Sequence, residues 1–221
     1  MNKIFFMCDN PYQKIASAVA PNNLPYGTEM IDLLESTDKM PFDFILKNMI
    51  FTKKGFYYND DFSKYKELWG ECQLNSKAWL LFSKRLRSII DENLKGGEGI
   101  RWISCNVIHG DETRVYYTPF FTKRVDVLDM DKCDYGNREH TMENLIKPVF
   151  DFSKASLYSM FSLPRFSNFW KMPSGAYVSE DMKKKITKAG IKGLCFEQCA
   201  VSTNKTNSIF HKYWNKLGIK F

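Results

Sequence analysis

The sequence predicts an α+β protein with mixed or antiparallel sheets, built on two pseudo-repeated strand–helix–strand units and closed by a C-terminal helix. Three observations carry that expectation. LLFSKRLRSIIDENL followed by IRWISC, and AYVSEDMKKKITKAG followed by GLCFEQC, share one grammar of apolar strand, serine cap, amphipathic helix, glycine stop and strand. Ser83 falls on Ser179, Leu86 on Met182 and Ile90 on Ile186, all at an offset of 96. Outside these units, short runs rich in β-branched and aromatic residues are divided by Gly, Pro and Asn, as strands and turns require. Finally, 44% apolar and 15% aromatic residues in a chain of 221 are enough for a packed core and exclude wholesale disorder.

In chain order, IFFMC (4–8) suits a short buried strand, and the segment 9–30, with Pro11, Pro21, Pro25 and Gly27, is irregular. FDFILKNMIF (42–51) is a buried strand or a short helix, since periodicity does not separate the two. AWLLF (78–82) leads to Ser83 as N-cap and a helix striped by Leu86, Ile89, Ile90 and Leu94, which Gly96, Gly97 and Gly99 end. IRWISCNV follows as a strand. RVYYTPFF and RVDVLDM form an antiparallel pair, with Pro119 placing the first at a sheet edge or at its own end. Residues 131–144 are a polar connection, VFDF (149–152) resumes a strand pattern, and the aromatic segment 153–173 buries its large groups as a crossing or a lid. In the second unit Ser179 caps a helix with Glu180 and Asp181 in its first turn and Met182, Ile186 and Ala189 as its stripe. Thr206 to Leu217 closes the chain as a helix. Residues 1–75 are expected to pack as an N-terminal segment on a core domain of residues 76–221, the whole forming one continuous body or two lobes.

The net charge of +7 is uneven: residues 151–221 hold twelve basic and four acidic side chains, while the rest of the chain is close to balanced. Lys183, Lys184, Lys188 and Lys192, with Lys185 among them, form a positive face, which is either a solvated helix side or a place where an acidic partner is drawn in. Six cysteines, dispersed through the chain, are too sparse for a disulfide scaffold and suit reduced thiols. The five apolar residues Ile4 to Cys8 are too few for a secretory signal, and no run approaches the roughly 18 residues of a membrane span. The chain is therefore expected to be soluble and cytoplasmic.

Chemistry finds little purchase. His109-Gly110-Asp111-Glu112 could bind a metal or relay a proton, but its spacing fits a polar hairpin turn as well. Cys195 and Cys199 form C-x3-C, with His211 the nearest distal histidine, and lack the paired spacing of zinc ligands. His140 is a loop residue. There is no phosphate-binding loop, dinucleotide fingerprint, nucleophile elbow or HExxH. The basic C-terminal part, with Phe161, Phe166, Phe169, Trp170, Phe210, Tyr213 and Trp214, would suit a nucleic acid, yet Arg165 is its one arginine and nucleic-acid surfaces commonly enlist several.

YVSEDMKKKITKAGIKGLCFE resembles immunity protein family eleven of bacterial polymorphic toxin systems, once catalogued as a domain of unknown function. FSKRLRSIIDEN, IRWISCNV and RVYYTPFFTKRVDVLDMDKCDYG are similar to the middle of the same family, so the resemblance covers roughly residues 78–200. It implies an intracellular protein, not an enzyme and without cofactor or metal, that binds a cognate toxin and neutralises it by occlusion. It carries over no catalytic residues. On the charge pattern, the toxin would offer an acidic contact surface to Lys183, Lys184, Lys188 and Lys192. The alternative is a nucleic-acid-binding protein using the basic C-terminal surface.

Overall fold

Strands dominate the computed structural model, which describes residues 3–10, 12–25, 28–53, 55–136, 145–164 and 168–202. In order they are β1 (Ile4–Asp9), β2 (Ser17–Val19), α1 (Glu29–Leu33), β3 (Phe44–Thr52), β4 (Gly55–Asn59), β5 (Cys72–Gln73), β6 (Leu81–Ser83), α2 (Lys84–Asp91), β7 (Ile100–His109), β8 (Glu112–Phe121), β9 (Asp134–Tyr135), β10 (Leu145–Lys147), β11 (Val149–Asp151), α3 (Phe152–Ala155), β12 (Met160–Phe161), β13 (Gly175–Ser179), α4 (Glu180–Lys188), β14 (Leu194–Gln198) and β15 (Ala200–Ser202). Three short 3-10 turns complete the helical content.

The long hairpin β7–β8 is built from β-branched and aromatic residues and turned by Gly110, whose φ of +56° glycine adopts without steric cost. It anchors a seven-stranded sheet in the order β2-β3-β7-β8-β6-β5, with β4 paired to the far half of β3. One face of that sheet is buried: Ile103, Cys105 and Val107 of β7, Tyr116 and Phe120 of β8, and Phe44 and Leu46 of β3 pack with Met30, Ile31 and Leu34 around α1. Pro119 lies inside β8 beyond its two pairs with β6, where β7 alone runs alongside. A second, four-stranded antiparallel sheet has the order β12-β13-β1-β14. Its Phe5, Met7, Ala176 and Val178 face α2 and α4, and its Ile4 and Phe161 face Val125, Val127, Leu128 and Phe150. β9–β10 and the parallel pair β11–β15 are small separate ladders. The segment 160–172 joins all three apolar clusters, Met160 and Trp170 in one, Phe161 and Leu163 in the second, Met172 in the third.

The α+β expectation is corrected. The described residues are about 40% strand and 20% helix, a mostly-β protein with several sheets, and not a balanced α+β fold made of strand–helix–strand repeats. The serine caps are present, Ser83 Oγ accepting from Leu86 N at 3.1 Å and Ser179 Oγ from Met182 N at 3.2 Å. The strands flanking each helix, however, never pair with one another: β8 lies between β6 and β7, and β1 between β13 and β14. A unit whose two strands need a third from elsewhere cannot bury its own helix, so neither is a self-contained repeat. Instead Leu86, Ile90, Met182 and Ile186 enter one shared cluster. The expected pairing of RVYYTPFF with RVDVLDM is also absent among the described residues: β8 has β7 along one side and β6 against Tyr116 and Tyr117 on the other, while Val125, Val127 and Leu128 all turn inward and Leu128 bridges Phe150. The C-terminal helix expected at 206–217 lies outside the described residues. Among the described residues no helix is long and apolar enough to cross a membrane.

Candidate functional site

Burial of Met182 and Ile186 turns the remaining side of α4 outward, and the lysines ride on it. They do not act alike. Lys183 folds back, its Nζ 3.8 Å from the centroid of the Phe5 ring and 5.7 Å from that of Phe196, so its charge is engaged by aromatic faces. Lys184 pairs with Glu180 at 3.2 Å, one turn earlier, and its hydrogen bond holds the Glu180 carboxyl below the usual range. Lys185 and Lys188 flank a shallow depression of about 340 Å³ shared with Ile89, Glu92 and Asn93 at the end of α2. Lys192 departs from this face. The loop after α4 carries it to a groove of about 1110 Å³.

That groove is assembled from five separated segments. The loop after β1 contributes Asn10, Gln13 and Lys14, and the approach to β5 contributes Lys66, Glu67, Trp69 and Glu71. Lys84 and Arg85 come from the start of α2, Arg114 to Tyr117 from β8, and Lys192 from the loop after α4. Backbone and amide contacts lock the segments together: Asn10 N donates to the Gly193 carbonyl at 2.9 Å and Gln13 Nε2 to the Cys72 carbonyl at 3.0 Å. Gly193 has φ +87°, a torsion that favours glycine, and a Cβ there would displace the Gln13 amide. Beneath lies Gln73, fully buried and satisfied: its Nε2 donates to the Ala16 carbonyl at 2.6 Å and its Oε1 accepts from Gly70 N at 2.9 Å. The Tyr116 hydroxyl donates to the Gly70 carbonyl at 2.9 Å. A fully paired polar network of this kind stiffens the floor.

Six cations line the groove against Glu67 and Glu71. Two are committed to structure. Arg85 donates to Glu71 at 2.8 Å and to the Ala189 carbonyl at the C-terminal end of α4, while Ser83 Oγ donates to the same Glu71 carboxylate. Arg114 donates to Glu112 at 2.6 Å and covers the Trp69 ring at 4.6 Å, with Trp69 Nε1 donating to Glu112 at 3.2 Å; the Arg114 bond, foremost, holds the Glu112 carboxyl low. The other four, Lys14, Lys66, Lys84 and Lys192, are exposed and have no carboxylate partner among the described residues. Of the four lysines singled out in the sequence, Lys192 alone belongs to this set. Lys14 and Arg114 stand in segments without a basic excess, and Lys66 and Lys84 in one, 65–110, whose seven basic and five acidic side chains leave an excess too small to single them out.

The other sequence candidates are structural. His109 and Glu112 pair across the hairpin, His109 packs edge-on against Phe62 at 4.6 Å, and Asp111 is exposed at the turn; His109 and Asp111 do not line the groove. Burial pushes the thiols of Cys8 and Cys72 up, that of Cys105 up to about 12 and that of Cys199 to about 11, which keeps them protonated. Cys195 is half-buried and faces Cys8 across β1–β14. Among the described residues no three His, Cys, Asp or Glu side chains are grouped to hold a metal. Phe161 and Trp170 are core residues and Phe169 is exposed, while His140, Phe166, Phe210, His211, Tyr213 and Trp214 lie outside the described residues.

Residues 56–201, about two thirds of the chain, match the model of the family described as Immunity protein family (Imm11). The match includes four of the five groove segments and leaves out the loop after β1. No curated protein matches the chain.

Proposed function

The chain belongs to the Imm11 immunity protein family, and on that premise we propose that it binds a cognate toxin of a bacterial polymorphic toxin system in the cytoplasm and neutralises it by occlusion, without chemistry of its own. The observation that carries the reading is the groove, where four exposed lysines without a carboxylate partner among the described residues stand on a hydrogen-bonded floor. Occlusion needs a pre-organised surface of complementary charge and a few fixed anchors, and no reactive centre. The sign of the charge points to an acidic contact region on the toxin, with Lys192 as the position common to the α4 lysines and the groove.

A nucleic acid would answer to the same charge, but it needs open aromatic faces on which bases stack. Here Trp69 is stacked against Tyr116 at 6.4 Å and covered by Arg114 on its ring at 4.6 Å, and Tyr117 is covered by Arg87 at 4.4 Å. The test is co-expression with the product of the adjacent gene. Growth should be restored, and the two proteins should co-elute on size exclusion; growth arrest with no complex would remove the immunity reading.

A further inference from the structure

The groove runs along a strand edge. Successive residues of a strand point to opposite faces, yet Arg114 and Val115, consecutive in β8, both line it. β6 pairs β8 only at Tyr116 and Tyr117, so from Val115 back to Glu112 the side of β8 away from β7 has no strand partner among the described residues. No backbone hydrogen bond outside the β7 ladder reaches Glu112 to Val115 either. The free edge runs over four residues, and its Arg114 and Val115 open on a groove ringed by Lys14, Lys66, Lys84 and Lys192, with Val115 46% exposed at its wall.

We propose that this edge takes an extended, acidic segment of the toxin as an added strand alongside β8, its carboxylates meeting Lys14, Lys66, Lys84 and Lys192 and an apolar side chain lying over Val115. The inference deepens the immunity reading and rests on it. Strand addition supplies main-chain hydrogen bonds that any sequence can make, and specificity then comes from side-chain contacts at the flanks. Here those contacts are cationic, so the segment is acidic. The lysines are the adaptable partners, since the two arginines are already held by Glu71 and Glu112. The covered face of Trp69 leaves no open ring for a base to stack on, which disfavours a single-stranded nucleic acid in the same place.

The experiment uses the full chain with the toxin domain encoded by the adjacent gene, and reads the dissociation constant by calorimetry and amide protection by hydrogen exchange. K14E/K84E/K192E should weaken binding by at least about tenfold through like-charge repulsion. The matched reversal K39E/K53E/K147E, on exposed lysines away from the groove, should change it by less than about twofold by the same argument. At least one amide between Glu112 and Val115 should gain protection in the complex. A wild-type complex whose affinity ignores the groove reversal, or falls as far with K184E/K188E on α4, overturns the proposal while the immunity reading stands; so does a complex without new protection in β8. Tighter binding of a single-stranded oligonucleotide than of the toxin overturns it in favour of a nucleic acid. If the wild type forms no complex at all, the immunity reading fails and takes the proposal with it.

Discussion

Among the described residues Glu98 is the one charged side chain in the buried interior, and its removal distinguishes hydrogen bonding from charge burial. It is 1% exposed, in the loop between α2 and β7. Its Oε1 accepts from Lys95 N at 2.8 Å and from the buried Ser159 N at 2.9 Å, which ties this loop to the segment that enters β12. Its Oε2 is buried without a partner among the described residues. Glu98→Ala leaves the Ser159 N–H unpaired, at about 2 kcal/mol for a bond to a carboxylate, and hands the Lys95 N–H to water at about 0.5 kcal/mol. Relief of the stranded Oε2 returns about 1 kcal/mol, so the net loss is about 1.5 kcal/mol. For a chain of this size that lowers Tm by roughly 3 to 6 °C. Glu98→Gln keeps the accepting oxygen and should fall within about 1 kcal/mol of wild type, since only the unpaired oxygen is exchanged. Urea unfolding followed by circular dichroism, with m-values unchanged, measures both. An alanine variant as stable as wild type, or a glutamine variant as damaged as the alanine one, would refute the argument that the two N–H donors, and not the charge, set the contribution of this residue.

Leu86→Ala and Ile186→Ala should each cost about 2 to 4 kcal/mol, and the double variant should depart from their sum by at least about 0.5 kcal/mol because both residues fill one cluster; strict additivity in a double-mutant cycle would show that α2 and α4 have separate cores. The Cys105 thiol, raised by burial from 9.0 to about 12, binds its proton more tightly in the folded state than in the unfolded one. Its contribution is therefore complete below pH 9 and lost as the pH rises toward 12, so Cys105→Ala should flatten the alkaline limb of a Tm-versus-pH curve; an unchanged slope above pH 9 refutes it.

What could be read in advance was chemistry acting over a few residues. Ser83 and Ser179 announce helix starts because a hydroxyl at that position bonds a backbone N–H three residues on. The strands β7 and β8 are legible in their β-branched and aromatic content and the turn between them in Gly110, but their pairing is not, since the sequence set RVYYTPFF against RVDVLDM instead. The sheet order is not, because it depends on which strand fills a gap between two others: nothing in IFFMC says that β1 will stand between β13 and β14. That choice overturned the fold class. The two helical units resemble each other because a cap, a stripe and a stop solve the same local problem, and their strands were then distributed through two sheets.

The groove proposed as the binding surface was hidden for a related reason. Summed along the chain, positive charge concentrates after residue 151, which singles out α4. Yet a sum along the chain weighs all lysines alike, and the fold does not: Lys183 lies over Phe5, Lys184 is held by Glu180, and both have less charge to offer a partner than the totals suggest. Lys14 comes from a segment where acids match bases, and Lys66 and Lys84 from one whose basic excess is far smaller than that after residue 151. They converge only because the loop after β1 is pinned to Gly193 and the start of α2 to the end of α4 through Arg85. Potential in a groove depends on which charges remain uncompensated within a Debye length of about 8 Å, and not on net composition. Lys192 is the only position at which the two descriptions agree, so Lys192→Glu alone should weaken toxin binding more than Lys184→Glu does. Equal effects of the two single reversals in calorimetry would mean that the lysine count of the C-terminal segment, and not the groove, governs recognition.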